Sequence, residues 1–416
     1  MKKRLLCFTM LLTVTISAIT FTNNVKAATK WNTNKSVTKE ENGIKYSAYL
    51  TEDGKESWIY QIKLSKKITK LTLPKEINQA KLTRVGFGKE LYNKGEDEDA
   101  YQNLFGDTIE PWHNCYGDLS NDDKNKQTIE TVAIPATVNQ LEIATFSGMK
   151  KLKSVVIPEQ TASVPAYTFA KCSALSKVTF SKNMNEIDST AFVKSNQVKT
   201  FSCPKANKTF AVKKGMLTTR SGKTLVLVPN KMKKVTIPTS VKTIKAKTFN
   251  GSQATSIVIP KSVKKIEAKA LSSKKVTKVS LSSKNKIYKM ANNCIYRKSN
   301  GTLTAVLVKT KKITIPSKVK VIDDTVSVMG KIGTKNQVHI PKSVKKVVED
   351  WMFFGDSATV YFHGTKPPVI VSKFKGNEFT ALPIFNKVYV PKKAKKTYIK
   401  WAKDRDGLKW NNLHTF

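Results

Sequence analysis

Val155-Val-Ile157-Pro158, taken with the residues on its C-terminal side, decides the fold of this chain. The phrase is apolar-x-apolar-Pro. It returns as Val132-Ala-Ile134-Pro135, Val235-Thr-Ile237-Pro238, Ile257-Val-Ile259-Pro260, Ile313-Thr-Ile315-Pro316, Val338-His-Ile340-Pro341 and Val388-Tyr-Val390-Pro391. Steps of 23 residues from Pro158 reach Ser181 and Pro204, closing the worn copies Val178-Thr-Phe180-Ser181 and Phe201-Ser-Cys203-Pro204. A step of 22 from Pro260 reaches Ser282, after Val279-Ser-Leu281. Two longer intervals, Pro204 to Pro238 and Ser282 to Pro316, are both 34 residues, which marks one longer repeat type used twice. A weaker copy, Leu71-Thr-Leu73-Pro74, opens the array. Self-similarity at a period of this size is the mark of a solenoid.

Downstream of each Pro the pattern continues. Apolar pairs lie three and six residues on: Val138 and Leu141, Met184 and Ile187, Val241 and Ile244, Val263 and Ile266, Val319 and Ile322, Val344 and Val347. Eleven residues on come Phe146, Phe169, Phe192, Phe249 and Leu271. A short extended segment ending at Pro, a turn, a second short segment and a small-residue bend carrying the Phe make one coil. No coil buries its apolar residues alone. Stacking buries them against the neighbours and pairs strand amides between rungs. Pro is tolerated because it ends a strand and interrupts no ladder. The spacing predicts one continuous parallel solenoid from about residue 67 to 391, with Ile134, Phe146, Ile157, Phe169, Phe180, Phe192, Ile237, Phe249, Ile259, Ile315 and Ile340 in its core.

At this point the residues resemble a known family. Leu152-Lys-Ser-Val155-Val-Ile157-Pro158, followed by Val164, Ala166, Phe169-Ala-Lys-Cys172, looks like the BspA-type leucine-rich repeat of secreted and surface-exposed bacterial proteins. Phe210-Ala-Val-Lys-Lys-Gly215-Met-Leu217, leading through Leu225-Val-Leu-Val228-Pro229, is similar to the long repeat that alternates with short ones there. Tyr361-Phe362-His363-Gly364-Thr-Lys-Pro367-Pro368 and Val388-Tyr389-Val390-Pro391 look like that family's closing coils. The resemblance covers roughly residues 67 to 400. It implies a β-rich leucine-rich-repeat solenoid of short parallel strands, and a role in adhesion or host interaction. The recurring residues are structural, so the resemblance points to no particular ligand.

Outside the array the ends read differently. Ile44 to Thr51 and Trp58 to Leu64 flank Glu52-Asp53-Gly54-Lys55, the signature of a hairpin able to cover the first rung. After Pro391, Ala394, Tyr398, Trp401 and Ala402 share one helical face while Lys392, Lys393, Lys396, Lys400 and Lys403 take the others. That suits a terminal cap; the other reading is a basic amphipathic helix lying on a membrane. Between Gly86 and Thr128 the repeat breaks and the charge reverses, with ten of the thirty acidic residues. The stretch lacks the Asp-x-Asp-x-Asp-Gly spacing of a calcium loop. It reads as a solvated acidic loop or as a partner loop built on Tyr101, Phe105, Trp112 and Tyr116. The expected organisation is a leader over 1–27, an N-terminal β-hairpin cap over 28–66, a first repeat with the acidic insertion over 67–128, the leucine-rich repeat solenoid over 129–391 and a C-terminal cap over 392–416.

Met1 to Ala27 has the parts of a secretory signal: basic Lys2, Lys3 and Arg4, an apolar run from Leu5 to Phe21, and small residues before a cut. The threonines and serine within the run dilute it and make it short for an uncleaved anchor. Cys7 has no apolar region ahead of it, unlike a lipoprotein box. No second run of spanning length comes after it, so no transmembrane segment is expected once the leader is gone. The exported chain keeps Cys115, Cys172, Cys203 and Cys294, whose spacings of 57, 31 and 91 residues do not resemble a compact disulfide framework, so buried free thiols are expected.

The chain has 416 residues and a net charge of +44, from 74 basic and 30 acidic side chains. Only Arg4, Arg84, Arg220, Arg297 and Arg405 are Arg, and base reading is mostly Arg chemistry, which argues against a sequence-specific nucleic-acid partner. The lysines have a register. Four residues beyond the Pro position of the later coils stand Lys208, Lys242, Lys264, Lys286, Lys320, Lys345 and Lys395, reinforced by Lys245, Lys265 and Lys346, where the earlier coils have Asn139, Ala162 and Asn185. Stacked at about 4.8 Å they form a track for an anionic polymer, such as a cell-wall polymer or acidic glycan; a merely solvated face that keeps edges from aggregating is the plainer reading.

Chemistry is sparse. There is no G-x-S-x-G elbow, zinc helix, phosphate loop or Cys/His cluster at zinc spacing. His113 and Cys115 lie close but lack an orienting third group, and His339 is expected to point outward into solvent. No cofactor or metal is expected. The sequence points to a secreted or cell-surface, noncatalytic repeat protein that presents an extended surface for adhesion to protein or glycan ligands, host surfaces among them. The alternatives are an anionic-polymer binder and, further off, a secreted hydrolase with its site in the insertion.

Overall fold

The computed structural model describes residues 29–86, 125–348, 358–371, 387–403 and 413–416. The leader, the insertion with Tyr101, Phe105, Trp112 and Tyr116, and the His113 and Cys115 pair lie outside the described residues.

Each described copy of the phrase forms a strand of three or four residues, and successive copies pair in parallel. Lys70–Thr72, Thr131–Ala133, Ser154–Val156, Lys177–Thr179 and Thr200–Ser202 make one five-stranded ladder. Lys234–Thr236, Ser256–Ile259 and Lys278–Leu281 make the next. Lys312–Thr314, Gln337–Ile340, Thr359–Phe362, Lys387–Val390 and Leu413–Thr415 make the third. Strand side chains alternate, so in Ile257-Val258-Ile259 the two Ile are fully covered while Val258 faces out at 41% exposure. The residues five and six beyond the Pro build a second file of shorter parallel strands, as where Ser163–Val164 pairs with Glu186–Ile187 and Val321–Ile322 with Lys346–Val348.

The apolar columns are buried as the spacing requires. Phe146, Phe169 and Phe192 stack rung on rung, with ring centroids 5.5 and 5.7 Å apart and planes within 15°. Of the eleven expected core residues only Ile134 is half-buried rather than buried. Cys172 and Cys294 are buried free thiols, and Cys203 is a half-buried one. Burial pushes the Cys294 thiol up to about 12, so it is held as an inert thiol.

The long repeats depart from a purely parallel array. In each, the chain leaves the stack as an antiparallel excursion: Phe210–Lys213, Met216–Thr219 and Thr224–Leu227 in one, Tyr288–Ala291, Cys294–Arg297 and Leu303–Leu307 in the other. The turns Lys214-Gly215 and Asn292-Asn293 have positive φ at both residues, the twist that a two-residue hairpin turn needs. At the entry to each excursion the expected apolar residue three beyond the Pro position is replaced by Asn. Asn207 Nδ2 donates to the carbonyls of Ser181 and Met184, while its Oδ1 accepts from the amides of Thr209 and Phe210. Asn285 repeats this with Pro260, Val263, Ile287 and Tyr288. A backbone that leaves a ladder strands the carbonyls below it, and a buried amide is the side chain that satisfies both sides.

Both ends are covered. The hairpin Ile44–Thr51 and Glu56–Leu64 is joined by an outer strand, Trp31–Glu41, whose polar sequence gave no strand signal. Glu56–Leu64 runs parallel to Ala80–Val85, which in turn pairs with Gln140–Leu141 of the repeats. Arg84 fastens this junction. Its guanidinium lies 3.8 Å from the Trp58 ring centroid, and its Nε is 2.7 Å from Glu142, with both charged groups nearly buried. At the other end, the helix Lys395–Lys403 lays Tyr398 and Trp401 on Phe362, at 5.4 and 6.0 Å, and Tyr398 donates to the carbonyl of Gly364. The apolar face of this helix is thus spent on the core, as a cap requires.

Candidate functional site

With the columns spent on packing, the outward files are what the coils present to solvent. The lysine file is present only in pieces. Lys264 N–H donates to the Lys242 carbonyl at 2.7 Å, and Lys345 N–H to the Lys320 carbonyl at 2.9 Å, so these pairs are rung neighbours. The residue beneath Lys242 is Lys223, and that beneath Lys320 is Gly301. Lys208 and Lys286, counted from the Pro, precede the excursions instead. A fixed count fails there because the strand returning from the hairpin, not the one entering it, supplies the rung. Lys395 opens the terminal helix. All seven are exposed.

The wider pattern is a single-sign segment. Between Asp188 and Asp323 the chain carries 31 basic residues and one acidic residue, Glu267, which pairs with Lys265 at 2.9 Å. The lysines occupy every side of the coils. Lys234 and Lys278 face outward from the ladder of Lys234–Thr236, Ser256–Ile259 and Lys278–Leu281, and Lys223, Lys242 and Lys264 precede the strands of the shorter file in the same coils. Lys247 and Lys269 sit in the bends with φ of 56° and 52°, and Lys274 and Lys275 lie on the return. All of these are exposed.

A second outward file was not foreseen. On the last ladder, His339, Tyr361, Tyr389 and His414 occupy one register position on four successive strands. Their rings stack at centroid distances of 4.4, 4.6 and 5.0 Å. Each ring covers its neighbour's face, so the file turns its ring edges outward, except that His339 presents neither nitrogen: its Nε2 is buried and its Nδ1 meets a neighbouring ring. His339 is not the solvated imidazole expected of it. It is half-buried, and its Nδ1 lies 2.9 Å from Nε2 of His363, in hydrogen-bond contact. Burial first, then Lys312, then His363 hold the His339 pKa down at about 4; burial and Lys312 lower that of His363. The signal was legible: each strand phrase in this region has an aromatic residue two before its Pro position, at His339, Tyr361 and Tyr389.

Other features are structural. An open hollow of about 390 Å³ at the hairpin turn is lined by Thr51, Asp53, Lys55 and Glu56 among others. The Asp53 carboxylate there already accepts from the Thr51 hydroxyl and the Lys55 amide. Among the described residues no three His, Cys, Asp or Glu gather as a metal site, and no helix is long and apolar enough to cross a membrane.

The repeat geometry has a counterpart among known proteins. The profile of the BspA type leucine rich repeat region matches in six copies over residues 124–214 and 228–358. The chain belongs to this family. Among solved structures it is similar to a leucine rich cell surface protein from Faecalibacterium prausnitzii A2-165, at 14% identity and TM-score 0.35, over 84% of this chain and 98% of that one. The pneumococcal vaccine antigen PcpA matches at 14% identity and TM-score 0.38, over 91% and 97%. A leucine-rich repeat protein from Bacteroides ovatus ATCC 8483 matches at 13% identity and TM-score 0.27, over 92% and 98%. No curated protein matches the chain.

Proposed function

We propose that this BspA-type chain is an exported, noncatalytic protein of the cell surface whose coils present an extended face to protein or glycan ligands. The observation that carries the reading is the division of labour within each coil. Inward positions serve stacking, so what varies from rung to rung is outward: Thr72, Val156, Thr179, Thr236, Val258, His339, Tyr361 and Tyr389 at one register position. A surface built this way offers many shallow contacts along a rigid support, which suits recognition of extended partners. The acidic insertion between Gly86 and Thr128, with Tyr101, Phe105, Trp112 and Tyr116, belongs to the same reading as a candidate partner loop.

Two measurements test it together. Fractionation of producing cells into medium, wall and cytoplasm should place the chain outside the cytoplasm, shortened by its leader. The purified exported chain, incubated with a panel of glycans, peptides and esters, should bind without turnover. Turnover lost on deletion of residues 87–124 would replace this reading with that of a hydrolase.

A further inference from the structure

The segment between Asp188 and Asp323 has a property that the lysine register alone does not express: its charge surrounds the coils. We propose that these coils form an all-round cationic sleeve that binds flexible phosphodiester-linked polymer on more than one side at once. The inference rests on the binding reading above and names its partner class.

The charge must be met from outside the molecule. With 31 basic residues against Glu267 alone, the segment has no internal means of neutralising itself. Strand spacing puts lysines such as Lys223, Lys242 and Lys264 on consecutive rungs about 4.8 Å apart. Like charges on neighbouring rungs repel weakly as single exposed pairs, and the repulsion sums along the sleeve. A bound polyanion removes the repulsion and releases its own counterions, so affinity grows with the number of phosphates engaged and falls with salt.

The type of cation sets the mode of contact. Lysine is a compact point charge on a flexible stem that binds phosphate through charge alone, without the planar fork by which arginine grips phosphate and carboxylate alike, so polyglutamate is the comparison that tests the choice of phosphate. In the sleeve the Arg residues are only Arg220 and Arg297. Arg220 is turned to the carbonyls of Asn207 and Pro204, and Arg297 lies against Tyr288. The disposition of charge narrows the partner. A rigid duplex meets one side of a solenoid. Flexible chains reach the ladder face of Lys234 and Lys278, the turn bearing Lys242 and Lys264, and the return bearing Lys274 and Lys275. Such a sleeve is held in a polyanion mesh by many weak contacts.

The test uses the exported chain and poly(glycerol phosphate). Beads coated with the polymer should retain the protein at low salt, and the retained protein should capture a second, labelled portion of the polymer. Changing Lys223, Lys242 and Lys264 to Gln, or Lys233, Lys234 and Lys278 to Gln, should each lower the salt needed for elution by a similar amount. Both sets together should abolish capture of the second portion. Changing Lys63, Lys66 and Lys67 in the N-terminal part to Gln should leave elution nearly unchanged. An equal loss from that control set means that net charge alone acts and overturns the proposal. So does complete loss from one set alone, which describes a single track. Equal retention on polyglutamate or on duplex DNA overturns the choice of partner. If no polymer is retained while other ligands of the panel bind, the sleeve fails and the general binding reading stands.

Discussion

Replacing Asn207 by Asp should destabilise the first long repeat by about 3 kcal/mol at pH 7, and less in acid. Asn207 is essentially buried. Its Oδ1 accepts two backbone amides at 2.8 and 2.6 Å, and these bonds survive in the variant. Its Nδ2 donates to two backbone carbonyls at 2.9 and 2.8 Å, and these are lost. Each stranded buried carbonyl costs about 1–3 kcal/mol, and a carboxylate oxygen now faces both of them. Protonating the variant carboxyl restores one donor. The folded state therefore raises the carboxyl above its ordinary pKa near 4, so stability is regained as pH falls through the raised value. Urea unfolding of the variant and the parent at pH 7 and pH 4.5, monitored by tryptophan fluorescence and by protease resistance of the 204–238 region, reads the difference. A loss under about 1 kcal/mol at pH 7, or a loss that does not shrink in acid relative to the parent, would refute the argument that the Asn bridges the ladder to the hairpin.

Phe169→Ala should cost on the order of 3–5 kcal/mol, since the ring is fully buried between two stacked neighbours; chemical denaturation checks it, with little change expected for exposed Phe416→Ala. The His339 and His363 pair should make the C-terminal coils acid-sensitive. Both rings are held neutral by the fold, with pKa values below the unfolded value near 6.5, so between that pH and about 4 the unfolded chain binds more protons and stability falls as pH falls. Partial exposure of the rings limits the loss to about 1 kcal/mol. Thermal unfolding from pH 7.5 to 4 should show this dependence weakened in the double variant His339→Gln, His363→Gln.

Much of the fold was fixed by local chemistry. Period-two alternation in Ile257-Val258-Ile259, a Pro that can only end a strand, and Phe residues at a constant offset leave one solution, stacked coils, because each demand is met by a neighbour that repeats it. What spacing could not supply lies where the chain leaves that period. Asn207 and Asn285 occupy apolar positions of the phrase, and only the hydrogen bonds they make to two rungs explain why an amide stands there. The lysine count broke at the same two places, since Lys223 and Gly301 reach the rungs by returning from hairpins whose length the count ignored. Arg84 was one basic residue among many until two tryptophans and Glu142 from different elements closed on it. His339 and His363 are 24 residues apart, and no pattern within either phrase brings two imidazole nitrogens to 2.9 Å; that contact is made by the pitch of the solenoid. Sequence determines what each coil repeats, whereas the outward contacts between coils depend on the order in which rungs stack, and long-range packing alone decides that.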